Sequence, residues 1–516
     1  MNPIGYRILP RSGPAVSADV LAGFAAIGSA QISDCMNRLY GVSGLRPMHA
    51  CTRRTVGLAL TVKTRPGDNL MIHKAISLGG AGDVIVVDGA GDASNALVGE
   101  LMMMDAQSRG IEGFVIDGAV RDLDVFAQGE FGCFARAIIA ELREQGRRII
   151  DLTIGEPDFS TPEHIRQAAT AAMNRGETKY PPAQGTVALR RAARGHLLEA
   201  TGVDYPVAQI IVSTGAKQVI FNGLAATLNE GDEVLIPAPF WVSYPDMVLV
   251  NGGTPVAVQT SPATDYKVTP EALERAITPR TKWLMMNAPS NPTGSVYTAE
   301  ELRGLADVLK RHPHVWLMTD DIYARLNFTG EPTVHPLQVA PELAARTLVV
   351  NGVSKAYAMT GWRIGYGAGP DELIKAMAIL QSQSTSGASS VSQAAALEAL
   401  SGPQDCVAEF AQVFRERRDL AIAELSGAPG LAIVVPQGAF YVFPDCAGLL
   451  GKKTPAGDVI ATDTDLTHYL LREAGVAVID GHAYGAPGTF RLSFAASLDD
   501  IKQGCAAIRE ACAKLA

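Results

Sequence analysis

Short, continuous apolar runs recur along the chain: VGLALTVKT (56–64), DVIVVDG (83–89), GFVIDG (113–118), QIIVSTG (209–215), DEVLIPAP (232–239), KWLMMNAP (282–289), VWLMTDD (315–321) and RTLVVNGVSK (346–355). Runs of this length without polar alternation predict strands buried on both faces. Amphipathic stretches lie between them. In AEELRGLADVLKR (299–311), Leu302, Leu305, Ala306 and Leu309 fall on one face, which predicts a helix. Strands alternating with helices predict an α/β protein on a mostly parallel sheet covered on both sides. The absence of a fixed-period repeat disfavours solenoids and propellers.

The pattern changes character around Phe131–Arg136. A strand-like ending, FGCFAR, gives way to a helix-like AIIAELREQGRR without a Pro/Gly/Ser linker, and the junction is expected at Arg136/Ala137. The chain has 516 residues, which at roughly 100–200 per domain predicts about three compact units. With 47% hydrophobic and 19% charged residues, the composition excludes a disordered chain. A net charge of −9 leaves no electrostatic footprint for nucleic acid or an anionic membrane. No apolar run approaches the ~18–20 residues of a membrane helix, and the opening MNPIGYRILPRSGP lacks a basic region followed by an apolar stretch. The 7 cysteines, including Cys35 and Cys51, are scattered with no C-x-x-C pair, which points to free thiols and away from structural zinc. A cytoplasmic protein is expected.

Six features between 137 and 516 form one chemical constellation. In NGVSKAYAMTGWRIGY (351–366), Lys355 follows a strand, and a partly desolvated lysine has a lowered pKa suited to a Schiff base with an aldehyde cofactor. Ser354 and Arg363 beside it suit a phosphate. In IIVSTGAKQVIF (210–221), a strand enters a helix through Thr214, Gly215 and Ala216, small residues whose N–H groups make an anion seat. Trp241, just after a strand in LIPAPFWVSYPDM, suits stacking on a flat ring. Asn291 stands among turn residues in PSNPTG, and Asp320 ends a buried strand with Asp321 and Tyr323 close behind. A carboxylate buried there needs a cation, and a protonated pyridine nitrogen is one. Arg491 interrupts the apolar TFRLSFA (489–495), where a buried guanidinium needs an anion such as a substrate carboxylate. Taken singly, each has a bland alternative: a surface lysine, a plain turn, a core aromatic, a solvated acid or an internal ion pair.

Together with LTIGEPDFSTPEH (152–164), ETKYPPAQG (177–185) and GAFYVF (438–443), these motifs resemble the class I aspartate-type aminotransferases of the fold-type I pyridoxal-phosphate superfamily, nearest the aspartate and prephenate branch. The resemblance implies a large domain of about 180–430 with a seven-stranded, mostly parallel sheet, and a small α/β domain from about 137–179 plus 431–516. It implies pyridoxal 5′-phosphate as cofactor, with Lys355 forming the Schiff base and shuttling the proton between Cα and the cofactor C4′. Asp320 would pair with the pyridine nitrogen, Asn291 and Tyr323 would bond the phenolic oxygen, and Trp241 would stack on the ring. Gly215, Ala216, Ser354 and Arg363 would hold the phosphate, with Tyr180 reaching in from the other subunit of a homodimer. Arg491 would clamp the α-carboxylate, assisted by Asn291 and the backbone at Gly155, and Lys217 occupies a position tied to the distal carboxylate of dicarboxylic substrates. The implied reaction is ping-pong transamination of aspartate or glutamate with a 2-oxo acid, with prephenate or aromatic substrates as the alternative.

The segment 1–136 carries GDNLMIHKAIS (67–77), the long run 82–124 with VGEL and DGAVRD, and FGCFAR (131–136). It resembles the 4-hydroxy-4-methyl-2-oxoglutarate aldolases and the related regulators of ribonuclease E activity, and a swivelling-type α/β module is expected. Gly99, Glu100, Leu101 and Met102 at a turn into a helix would present N–H groups to a carboxylate, Arg121 would face a developing enolate, and Asp122 would bind Mg²⁺ or Mn²⁺. The family continues past the FAR strand, whereas here the next residues already read as aminotransferase, so the module is expected to be incomplete. It stands open as an inert or oligomer-building appendage, a pyruvate-releasing aldolase or a ribonuclease regulator.

Overall fold

The computed structural model describes residue 9 and residues 16–27, 45–50, 54–64, 68–89, 96–128, 131–137 and 148–516. The chain divides into two compact units between Ile149 and Ile150. The junction expected at Arg136/Ala137 falls inside a strand, Gly132–Ala137, because the FGCFAR run pairs along its length with the strand Gly113–Val120. Most of the helix-like 137–148 lies outside the described residues.

In the first unit, strands β1 (Arg46–Pro47), β2 (Leu58–Lys63), β3 (Asp83–Asp88), β4 (Ala96–Val98), β5 (Gly113–Val120) and β6 (Gly132–Ala137) form a sheet in the order β1-β6-β5-β3-β2, with β4 also paired to β5. All pairings are parallel except β1 to β6. The predicted runs at 56–64, 83–89 and 113–118 are β2, β3 and β5, and their Val62, Ile85, Val87, Phe114 and Ile116 are buried in one core with Ile72 and Ile76 of the helix Leu70–Leu78.

The second unit begins with β7 (Ile150–Asp151). Its main sheet contains β8 (Ile210–Ser213), β9 (Glu233–Ala238), β10 (Thr254–Gln259), β11 (Thr281–Asn287), β12 (Trp316–Asp320), β13 (Thr347–Gly352) and β14 (Gly365–Ala368), ordered β10-β9-β11-β12-β13-β14-β8. It is parallel except for β14, which runs antiparallel to both neighbours. Both faces are covered: Leu284, Leu317 and Val349 enter one core, Trp283, Met318 and Leu348 the other. The helix Ala299–Arg311 has the predicted bounds, since a reciprocal Thr298/Glu301 cap starts it. The remaining strands are β15 (Tyr441–Val442), β16 (Val476–Ala477), β17 (Ile479–Asp480) and β18 (Phe490–Ser493), with order β15-β18-β17 and β16 paired to β7.

Two helices pack across the expected bounds of a large domain of about 180–430 and a small domain of about 137–179 plus 431–516. The helix Glu163–Asn174 buries Ile165 and Ala169 with the large sheet's core. The helix Asp405–Leu425 buries Phe414, Ala421 and Leu425 with Leu152, Phe440 and Phe494 of the small domain. Each helix follows its apolar face, which chain position does not reveal.

Candidate active site

The strands of the main sheet deliver the polar residues at their ends. β12 ends on Asp320, which is buried and whose Oδ2 accepts the Tyr244 hydroxyl at 2.7 Å. Burial pushes the Asp320 carboxyl up to about 6, with the Tyr244 hydrogen bond opposing. β11 ends on Asn287, which donates to the Asp320 carbonyl at 2.7 Å and accepts the Asn291 N–H at 2.8 Å. Lys355 lies just beyond β13, and its Nζ donates to the Gly155 carbonyl while standing 5.7 Å from the Phe440 ring centre and 5.9 Å from that of Tyr323. Burial pulls this amine down to about 8; Glu156 and Asp320 oppose, and Arg491 and Arg363 add to the fall. Tyr323 and Tyr441 share a hydroxyl contact of 3.0 Å.

Arg491 is buried on β18 between the rings of Tyr441 (4.3 Å) and Tyr484 (5.2 Å). One Nη donates to Asn291 Oδ1 at 3.1 Å and the other to the Thr153 carbonyl at 2.7 Å. Its Nε is buried with no hydrogen-bond partner among the described residues. A guanidinium with an unsatisfied buried donor calls for an anion, and a carboxylate supplies one.

Gly215 precedes the helix Ala216–Ala225 at φ +88°. A Cβ there would stand 2.5 Å from the Arg363 guanidinium, so the missing side chain lets that cation lie against a helix N-terminus, and the two together suit an anion. Ser354 is buried close by in sequence to Lys355. Lys217, on the first turn of that helix, donates to Ser243 Oγ at 3.2 Å with Nζ 4.6 Å from the Trp241 ring centre, and Trp241 meets Tyr244 edge to face at 5.3 Å. Tyr180 is 94% exposed.

A family model for aminotransferase class I and II matches residues 147–508. The chain belongs to that family. A second model, Aldolase/RraA, matches residues 29–165. An aspartate/prephenate aminotransferase of Cereibacter sphaeroides is 52% identical over 375 residues, 73% of this chain and 94% of the relative. Among solved structures, an aspartate aminotransferase from Rhizobium meliloti superimposes with TM-score 0.72 at 51% identity, covering 73% of this chain and 94% of its own. An aspartate aminotransferase from Thermus thermophilus with maleate follows at TM-score 0.66 and 42% identity, covering 72% and 94%. The protein is thus an aminotransferase of the pyridoxal-phosphate-dependent type.

The geometry fits that cofactor: an anion seat at Gly215 and Arg363, a buried carboxylate on β12, and a lysine with a lowered proton affinity. Five neighbours of these groups carry no mark in the sequence. Tyr244, Tyr441 and Phe440 look like core aromatics in sequence, and Asn287 like a strand residue; Glu156, which accepts the Thr360 hydroxyl at 2.7 Å and faces Lys355, stood in the GEPDF motif without a role. No described helix is long and apolar enough to cross a membrane.

In the first unit, Gly99 caps the helix Glu100–Ser108, and the Glu100 N–H donates to Asp122 Oδ2 at 3.0 Å. Arg121 Nε lies 3.5 Å from the same oxygen. The turn, the arginine and the aspartate therefore converge, while Leu101 is exposed and Met102 is buried in the core. Among the described residues no group of three or more His, Cys, Asp or Glu could hold a metal ion, and the Asp122 carboxylate is already engaged by the helix start.

Proposed function

We propose that the protein transfers the amino group between aspartate or glutamate and a 2-oxo diacid, in two half-reactions at one site. The observation that carries this reading is a pair of cations suited to two carboxylates: Arg491 with its spare buried donor, and Lys217 held over Trp241. The names of the relatives support it, and maleate, found with the Thermus structure, is itself a dicarboxylate.

Bound pyridoxal phosphate supplies an electron sink for the pair left at Cα when its proton departs. Gly215, Ala216, Ser354 and Arg363 would hold the phosphate, Trp241 would cover the ring, Asp320 would face the ring nitrogen, and Asn291 and Tyr323 would face the phenolic oxygen. Arg491 binds the α-carboxylate, and Asn291 and the Thr153 carbonyl orient its fork. Lys355 moves the proton: at an affinity of about 8 a working fraction of its amine is neutral near pH 7. The Gly155 carbonyl steers that nitrogen. Because both substrates use the same clamp in turn, initial-rate plots should be parallel lines. Tyr180, exposed in its own chain, would complete the site of a second copy in a homodimer. The free thiols of Cys133, Cys406, Cys446, Cys505 and Cys512 support a reducing, cytoplasmic setting.

The test is a donor and acceptor panel including prephenate and aromatic acids, run on the native chain and on Lys217→Met. Aspartate and glutamate should exceed phenylalanine in kcat/KM, and Lys217→Met should lower their values about tenfold while sparing phenylalanine, the size of one exposed-to-half-buried ion pair. Equal losses for both classes would sink the dicarboxylate reading. A second reading, carbon–carbon cleavage to pyruvate at the first unit, draws on the convergence of Arg121 and Asp122 at Gly99. Absence of pyruvate from a 4-hydroxy-2-oxo diacid with Mg²⁺ or Mn²⁺ present would refute it.

A further inference from the structure

Asp320 and Asp321 leave the end of β12 toward opposite faces of the sheet, as successive residues of an extended strand do. Asp320 meets Tyr244 in the core that holds Met318. Asp321 turns to the face where Leu317 and Leu337 pack. There Thr319 Oγ1 donates to Asp321 Oδ2 at 3.1 Å, and His335 Nε2 lies 3.3 Å from the same oxygen and 3.0 Å from Thr319 Oγ1. His335 Nδ1 accepts the Leu337 N–H at 3.0 Å, so in the neutral ring the hydrogen sits on Nε2 and is directed into the Thr319–Asp321 pair. Both side chains are buried, and the Asp321 N–H is tied to the Val350 carbonyl at 2.9 Å. Thr319 Oγ1 and His335 Nε2 thus give a buried carboxylate two polar partners, which such a group needs away from water.

We infer that Asp321 and His335 are a positioning pair for transamination: a buried negative charge, held by Thr319 and the His335 Nε2–H, that stands one residue behind Asp320 and favours positive charge at the cofactor it serves. The inference rests on the assignment of Asp320 to the ring nitrogen. The other titratable groups that feel Asp321 are Tyr205, Tyr244, Tyr366 and Asp320. Burial and this charge push the three phenols up, so they stay neutral and add no charge of their own. Asp320 feels the same charge in the same direction. Neither Asp321 nor His335 is placed to touch substrate; they act through Asp320.

The test uses the full chain loaded with pyridoxal phosphate and follows the bound cofactor's visible absorbance against pH, beside the cofactor dissociation constant and the thermal midpoint. Asp321→Asn removes the charge at constant shape, and His335→Phe removes the donor that keeps it. Each is expected to lower the absorbance midpoint by roughly one pH unit, the scale of one charge at close range in a partly screened interior. His335→Gln, which restores an N–H near the Nε2 position, is expected to return the midpoint to within about 0.3 unit of the native value. Lower thermal midpoints with an unmoved titration in Asp321→Asn and His335→Phe would make the pair a structural pin and overturn the inference. Asp320→Asn separates the two levels: if it too leaves the titration unmoved, the ring-nitrogen assignment falls and takes the inference with it, whereas a moved titration there and an unmoved one in the pair overturns the inference alone.

Discussion

Lys355 and Asp320 are displaced in opposite senses by the same cause, the amine down to about 8 and the carboxyl up to about 6, because burial favours the neutral form of each. The lysine's direction yields a kinetic prediction. Below its pKa the neutral amine falls tenfold per pH unit, so the rate at which the cofactor-free chain takes up pyridoxal phosphate should climb to about pH 8 and then level off, as read by stopped-flow absorbance. A rate still climbing tenfold per unit above pH 9 would contradict the lowered amine. Arg491 carries the second prediction at this scale. Arg491→Lys keeps the charge but loses the planar fork that spans Asn291, Thr153 and a carboxylate, and kcat/KM should fall about 100-fold, roughly 3 kcal/mol. A loss under threefold would remove Arg491 from the clamp. Lys355, Asp320 and Arg491 were legible in sequence because a charge at the end of, or inside, an apolar run is an anomaly that demands a partner. Tyr244 and Tyr441 were not, since an aromatic ring among apolar residues carries no mark of the hydroxyl contact it will make.

The turn from β8 into the helix Ala216–Ala225 shows how an element sets a site. Gly215 adopts φ +88° and ψ 160°, a region open essentially to glycine alone. Arg363 stands against it in the left-handed region at φ +57°, and Gly365 on β14 packs directly on the Gly215–Ala216 backbone. Gly215→Ala is expected to cost about 1–3 kcal/mol of backbone strain, and it pushes the flexible Arg363 head aside rather than blocking the fold. Cofactor affinity should therefore fall more than the thermal midpoint of the cofactor-free chain warrants, as measured by equilibrium titration and melting side by side. Unchanged affinity in a folded variant would argue against this turn as the phosphate seat. The strand-to-helix turn and the capped helix 299–311 were readable from local pattern. The antiparallel insertion of β14 between β13 and β8 was not, because pairing direction depends on which strands meet.

At the scale of the molecule, the core of the first unit draws on residues between Met48 and Ala135, and the cores of the second on residues from Ile150 onward. A chain beginning at Arg148 should therefore fold, bind pyridoxal phosphate and turn over within about twofold of the full chain, the ordinary behaviour of a unit with its own core. Failure of that chain to bind cofactor would mean that the first unit supplies part of the catalytic fold. Within the second unit, Gly155 and Glu156 lie on a loop tied at Asp158 to Arg417 by two hydrogen bonds of 2.6 and 2.9 Å and at Thr161 to the Ala358 carbonyl at 2.8 Å. Arg417 lies on the helix Asp405–Leu425 and Ala358 follows Lys355 closely in the chain, so this loop is tied both to that helix and to the lysine's own segment. The amino-acid order alone was enough for the α/β class, the two-part organisation and the charged residues proposed for the site, because hydrophobic period and misplaced charge are local properties. Folding decided the rest: which core each helix joins, the faces taken by Asp320 and Asp321, and the contacts that hold Lys355 and Arg491. These rest on contacts such as Lys355 with Gly155, 200 residues apart, and Arg491 with Thr153, 338 apart, and no local pattern encodes a partner at that separation.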